Sequence, residues 1–118
     1  MNTEESTFFG MVLKPKYEYK TVLKSELLLT RAIIDPDALP SQSAKLYVTI
    51  DNHMIPAACL DGAITTSLPL NIQLFSSTEI KFKVSGDVPI HISGFYTPSI
   101  KIQGPDFISA GYELKGNE

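Results

Sequence analysis

His53, His91 and Cys59 are the residues of this chain best suited to metal or nucleophile chemistry. A zinc site needs at least three ligands drawn from His, Cys and carboxylate, usually closely spaced. The nearest set is Asp51 with His53, inside a short Asp-Asn-His turn, which is one ligand short. A Cys–His nucleophile pair needs an exposed, activated thiol and a third group that orients the base. Cys59 stands in AACL, where apolar neighbours give it the role of a buried small hydrophobe. A glycine-rich phosphate loop and a Ser-His-Asp order are both missing from the sequence. The expectation is a domain without catalytic residues, metal or cofactor.

The remaining polar candidates suit binding rather than catalysis. Asp35 and Asp37 flank Pro36 in the one long polar connection, DPDALPSQSA. The default reading is a solvated turn, and the functional one a pair of carboxylates available to a basic partner. His91 alternates away from Ile90 and Ile92, so it belongs to the opposite face of its strand. A structural histidine at a sheet or subunit boundary is one reading and a pH-sensitive group the other. Lys14, Lys16, Lys20 and Lys24 gather around one strand and fit a charged edge that discourages stray pairing.

These residues are positioned by short strands. Eight prolines and seven glycines are spread along the chain and leave few windows for a helix. Period-2 alternation places Leu46, Val48 and Ile50 on one face of AKLYVTID, and Ile80, Phe82 and Val84 on one face of TEIKFKVS. Leu68, Leu70, Ile72 and Leu74 share a face, as do Ile90 and Ile92. HMIPAACL is weaker, and its Pro56 marks an edge or a bulge. Asp51-Asn52 and Asp61-Gly62 are turn signals.

SELLLTRAIID is ambiguous. Ser25 could cap a helix there. As a strand, the segment puts Leu27, Leu29, Arg31 and Ile33 on one face and Leu28, Thr30, Ala32 and Ile34 on the other. Both faces are then largely apolar, so the second one requires a cover, either another sheet or another subunit. The strands fall near 8–14, 17–23, 26–34, 44–51, 54–60, 68–75, 78–85 and 89–97, which suits an all-β, eight-stranded antiparallel jelly-roll sandwich. Residues 1–98 read as that domain, with its core at 8–98, and 99–118 as a C-terminal extension or tail.

Composition sets the outer limits. At 118 residues, with 43% hydrophobic and 19% charged residues, the chain is long enough and apolar enough for one self-sufficient core. Its net charge of −3 argues against direct nucleic-acid binding and permits basic partners. A single cysteine excludes an intrachain disulfide and fits a reducing compartment. The polar, acidic MNTEEST start is unlike a secretory signal, and no apolar run reaches membrane-spanning length, so no membrane partner is expected.

Several segments, taken together, resemble the nucleoplasmin-like domain family, as found in nuclear immunophilins and plant histone-deacetylase-like nucleolar proteins. TFFGMVLKP resembles the family's opening through Phe8, Phe9, Gly10, Val12, Leu13, Lys14 and Pro15. LLLTRAIID is similar to its short apolar strand, with Thr30, Arg31 and Ala32 in place of Ser or Thr, Gln and Ala. KLYVTID, AACLDG and LPLNIQLF follow in family order. VSGDVPIHISGFYTP resembles the closing motif through Gly86, Ile90, His91, Ile92, Ser93, Gly94 and Phe95. Phe9 stands where the family more often has Trp, and the acidic tracts of nucleoplasmin relatives are absent.

The resemblance implies a jelly roll assembling as a homopentamer, or as two stacked rings in a decamer, in the nucleus or nucleolus. It implies a histone chaperone that binds core histones, either the H2-type pair or H3/H4. It equally implies the oligomerisation domain of a nuclear prolyl isomerase or histone-deacetylase-like protein. On that reading Asp35 and Asp37 face histones, and Phe8, Val12, Leu28, Ile34 and His91 belong to the subunit interface. The alternatives from other classes are a deacetylase, as the resemblance to the plant proteins implies although no zinc-ligand set is evident, and a monomeric jelly-roll module for carbohydrate or peptide.

Overall fold

A computed structural model of the chain describes residues 7–97 and the strand 108–113. The strands are β1 (Thr7–Leu13), β2 (Tyr17–Val22), β3 (Leu27–Ile34), β4 (Ser43–Ile50), β5 (His53–Asp61), β6 (Ser67–Leu74), β7 (Glu79–Gly86), β8 (Ile90–Tyr96) and β9 (Ile108–Glu113). They form a four-stranded sheet in the order β1-β8-β3-β6 and a five-stranded sheet in the order β5-β4-β7-β2-β9. All pairings are antiparallel. The first eight strands make the two-sheet jelly roll that the alternation predicts, and β9 adds to the edge at β2. Of the expected 99–118 extension, the residues other than 108–113 lie outside the described residues, as do 1–6.

The apolar member of each alternating pair points between the sheets. Phe9, Leu13, Leu27, Leu29, Leu74, Ile90, Ile92 and Tyr96 come from the four-stranded sheet. Leu46, Val48, Ile80, Phe82, Val84 and Leu60 meet them from the other sheet. Phe9 and Tyr96 pack edge to face, with ring centroids 5.6 Å apart. Such a pair adds to its buried area the attraction of a ring edge for a ring face.

The ambiguous segment SELLLTRAIID is a strand, but its faces are not those of a regular period-2 strand. The register of β3 shifts between Leu29 and Arg31 against both of its neighbours. Against β8 the bulge inserts one extra residue in β3, Thr30, and every β3 side chain beyond it changes face. Leu27, Leu29, Ala32 and Ile34 are therefore buried, while Leu28, Arg31 and Ile33 face outward. This corrects two expected groupings. Leu29 and Ile33 lie on opposite faces, and Ile34, only 3% exposed, is core of its own chain.

The hairpin β4–β5 is closed by Asp51 and Asn52, both with positive φ (49° and 71°), as a two-residue turn on Asp-Asn requires. Pro56 sits at the sheet edge in β5, next to a register shift, so both structural meanings of a strand proline apply.

Candidate functional site

His53, His91 and Cys59 do not converge on one site. Among the described residues no group of three His, Cys, Asp or Glu side chains is placed to hold a metal ion. His53 turns its Nδ1 to the carbonyl oxygen of Asp51 at 3.1 Å, within the hairpin tip. Cys59 is not buried, contrary to expectation. Its neighbour Leu60 takes the inward position in β5, at 1% exposure, and alternation then sends Cys59 outward. In register with Lys45, it lies on the outer face of the five-stranded sheet. We expect one thiol per chain to react with a thiol-specific chromogenic reagent in the native protein. A thiol that reacts only after denaturation would refute this placement.

What the fold does assemble is an exposed apolar face on the four-stranded sheet. Its cross-strand register places Phe8 beside Phe95 and Phe95 beside Leu28. Two pleats along, Val12 stands beside His91 and His91 beside Ile33. Phe8 is 65% exposed, and Val12, Ile33 and Phe95 are each more than a third exposed. The Phe8 and Phe95 rings meet edge to face, with centroids 5.9 Å apart. Three strands thus present large apolar side chains to solvent on one surface, the kind of surface that marks an interaction site. Arg31, in the row between, donates from Nη1 to Ser67 Oγ at 3.3 Å. Four of the five residues expected at an interface on sequence grounds, Phe8, Val12, Leu28 and His91, lie on this face, and Ile34 does not. Phe95 and Ile33 complete it. Phe95 lies within the closing motif, and the β3 bulge turns Ile33 to this face.

The structure also joins two candidates that the sequence kept apart. His91 Nε2 lies 3.3 Å from Asp35 Oδ1, with both side chains partly exposed. Asp35 is therefore engaged at the end of this face, while Asp37 remains exposed to solvent.

Three loops meet at that same end of the sandwich. The Asp35 N–H donates to the Pro89 carbonyl, Ile34 N–H to Thr66, Gly62 N–H to Gln42 and Asp87 N–H to Ser43, at 2.9–3.0 Å. The β5–β6 connection is held by Asp61, whose Oδ1 accepts from the N–H groups of Ala63 (2.8 Å), Ile64 (2.6 Å) and Thr65 (3.3 Å). Those bonds favour the ionised carboxylate and hold its pKa below the ordinary value of 3.8. With the folded-state pKa depressed, the stabilisation is present above the unfolded value and is lost as pH falls through the folded one. Asp61→Ala is expected to lower the melting temperature at neutral pH and to leave it less sensitive to acid than the parent. Equal melting curves from neutral pH to below the Asp61 pKa would rule this out.

The family model of the nucleoplasmin-like domain matches residues 8–97. The chain belongs to that family. Its fold is also that of the nucleoplasmin-like N-terminal domain of Drosophila FKBP39, at 21% identity and TM-score 0.68, over 84% of this chain and 95% of that one. The Drosophila NLP core, a structure that bears on pentamer formation and histone binding, matches at 21% identity and TM-score 0.67, covering 78% of this chain and 98% of that one. Among curated proteins, the 46 kDa FK506-binding nuclear protein of Spodoptera frugiperda is 19% identical over 80% of this chain and 23% of its own length. A stretch of 4-diphosphocytidyl-2-C-methyl-D-erythritol kinase of Psychrobacter arcticus is 37% identical over 65% of this chain and 27% of that enzyme. The nucleoplasmin-like chain thus spans about a quarter of the length of the curated relatives it matches.

Proposed function

We propose that this nucleoplasmin-like domain forms a ring of five copies and serves a nuclear histone chaperone, holding core histones, the H2-type pair or H3/H4, during chromatin assembly. The observation that carries the reading is the apolar face of Phe8, Val12, Ile33 and Phe95 on a domain whose core is already complete. A face of that kind gains from burial against a second copy, and a contact between unlike surfaces closes into a ring when its rotation allows. Leu28 and His91 lie within the same surface; Ile34 is assigned to the core. Family membership supports the ring, and the neighbouring NLP core adds pentamer formation and histone binding as properties of a related fold.

Histones would meet carboxylates repeated around the ring, so that weak individual contacts add through effective concentration. Asp37 is free for this role, and Asp35 reaches it through its pair with His91. The likeness to an FK506-binding nuclear protein over part of its length favours a nuclear setting and, as a second reading, an oligomerisation domain in a prolyl isomerase.

Light scattering on the purified chain tests the ring. A mass of about five times 13.0 kDa is expected, or about ten times if rings stack. One chain mass at high concentration would refute the reading. Capture of core histones over a salt series tests the partner, and failure at low salt would refute that half alone.

A further inference from the structure

We propose that the cleft between the β3–β4 and β5–β6 loops is a docking site for an extended, Lys- and Arg-rich peptide segment that inserts one apolar side chain. The proposal rests on the histone-binding reading and specifies its contact, which is then not electrostatic alone. The cleft is about 260 Å³ and is lined by Ile34, Pro36, Ala38, Gly62 and Thr66, with Ile33 of the apolar face and the His91-paired Asp35 completing it. Such a volume lies below the usual range for small-molecule sites and suits a single side chain of a peptide.

Two of the most exposed apolar side chains in the described structure lie on its two loops, Leu39 at 59% and Ile64 at 88%. Both are held in place by local hydrogen bonds. Leu39 N–H donates to Gln42 Oε1 at 2.8 Å, and the Asp61 carboxylate binds the backbone N–H of Ile64 itself. Side chains displayed from fixed loops lose little freedom on binding, which favours affinity.

Charge selects the occupant. Residues 35–42, 61–66 and 87–89 include Asp35, Asp37, Asp61 and Asp87 and not one Lys or Arg. An acidic polypeptide, a nucleic acid or an anionic lipid surface is repelled there, whereas a cationic segment is attracted. The aliphatic side chains between the carboxylates add a component that salt does not screen.

The test uses the full chain and two labelled synthetic peptides, alternating Lys and Arg around a central Leu or a central Ser. Binding is read by fluorescence anisotropy from low salt to about 1 M, where the screening length is about 3 Å. The Leu peptide is expected to bind at least about tenfold tighter than the Ser peptide, as burial of one aliphatic side chain implies, with the gap persisting in high salt. Ala38→Phe, which fills the cleft, should bring the Leu peptide down to the Ser peptide's affinity without changing the assembled mass, and Leu39→Ser/Ile64→Ser on the flanking loops should weaken both peptides. Asp37→Asn/Asp87→Asn should weaken both peptides at low salt.

Equal affinity for the two peptides, or no loss in the Ala38→Phe variant, would overturn the proposal. A fall in assembled mass in that variant would also do so, because the occupant would then be a second copy of this chain. Histone capture that survives in a variant blind to the Leu peptide would sink this inference alone. Loss of histone capture by the parent chain, with the peptide still bound, would sink the histone reading instead.

Discussion

Phe95→Glu is expected to run at a mass of 13.0 kDa, one chain, while keeping the circular dichroism and melting behaviour of a folded sandwich. Phe95 occupies the middle of the exposed apolar face, between Phe8 on β1 and Leu28 on β3. It is 44% exposed and contributes nothing to the buried core, so the substitution leaves the interior of the chain intact. Against another copy, the same carboxylate is buried without a partner. That costs on the order of 3–5 kcal/mol per contact, or roughly two to four orders of magnitude in each association step. Phe95→Leu keeps an apolar side chain there and should keep the assembly. A Phe95→Glu protein that still migrates at the mass of the parent would show that copies meet through another surface.

The bulge in β3 sharpens the same test. Ile33 and Ile34 are adjacent aliphatic residues of one type, yet Ile33 lies on the outer face and Ile34 in the core. Ile33→Glu should dissociate the assembly and spare the fold. Ile34→Glu should unfold the domain, since it places an unpaired charge among fully buried side chains. A regular strand would give the reverse result.

That pair shows where the sequence is readable and where it is not. Strands such as AKLYVTID and TEIKFKVS declare themselves, because one face is wet and the alternation has a sign. LLLTRAII has apolar residues on both faces, so the pattern carries no sign, and an inserted residue leaves no trace in it. The eight strands are therefore legible in the sequence and the exposed apolar face only in part. Phe8, Val12 and Leu28 precede the bulge in sequence or in β3 and share the exposed face, while Ile34 lies beyond it and is buried. The exposure of Cys59 is illegible for a related reason: AACL is apolar throughout, and only the burial of Leu60 fixes which residues face inward. The pairing of His91 with Asp35 spans 56 residues and depends on β3 and β8 being neighbours, which no local pattern encodes. The exposed tips Leu39 and Ile64 sit in loops, where periodicity has nothing to say.

Gly94→Ala is expected to destabilise the domain by about 3 kcal/mol, the upper end of what overpacking costs, with a melting temperature lower by roughly 10–25 °C. Gly94 lies in β8, inside the four-stranded sheet, in register with Phe9 on one side and Leu29 on the other. A Cβ at this position would stand 2.1 Å from the Leu28 carbonyl oxygen and 3.0 Å from both the Leu28 carbonyl carbon and the Leu29 Cα. Every one of these is a backbone atom of β3, beside the bulge, so no rotamer change relieves the clash and the strands must part. Gly10→Ala is the control. Its Cβ would meet only the Phe8 ring, 3.0 and 3.4 Å away on an open surface, and the nearest backbone atom is 4.0 Å off. That side chain can swing aside, so the cost should stay below about 1 kcal/mol. The two glycines are thus predicted to differ because one faces a bulged backbone and the other a movable ring. Equal melting temperatures for the two variants would mean that β3 does not approach β8 as closely as this register requires. Because Gly94 precedes Phe95, any Gly94→Ala protein that does fold should also show weakened assembly, its apolar face displaced by the separation of the same two strands.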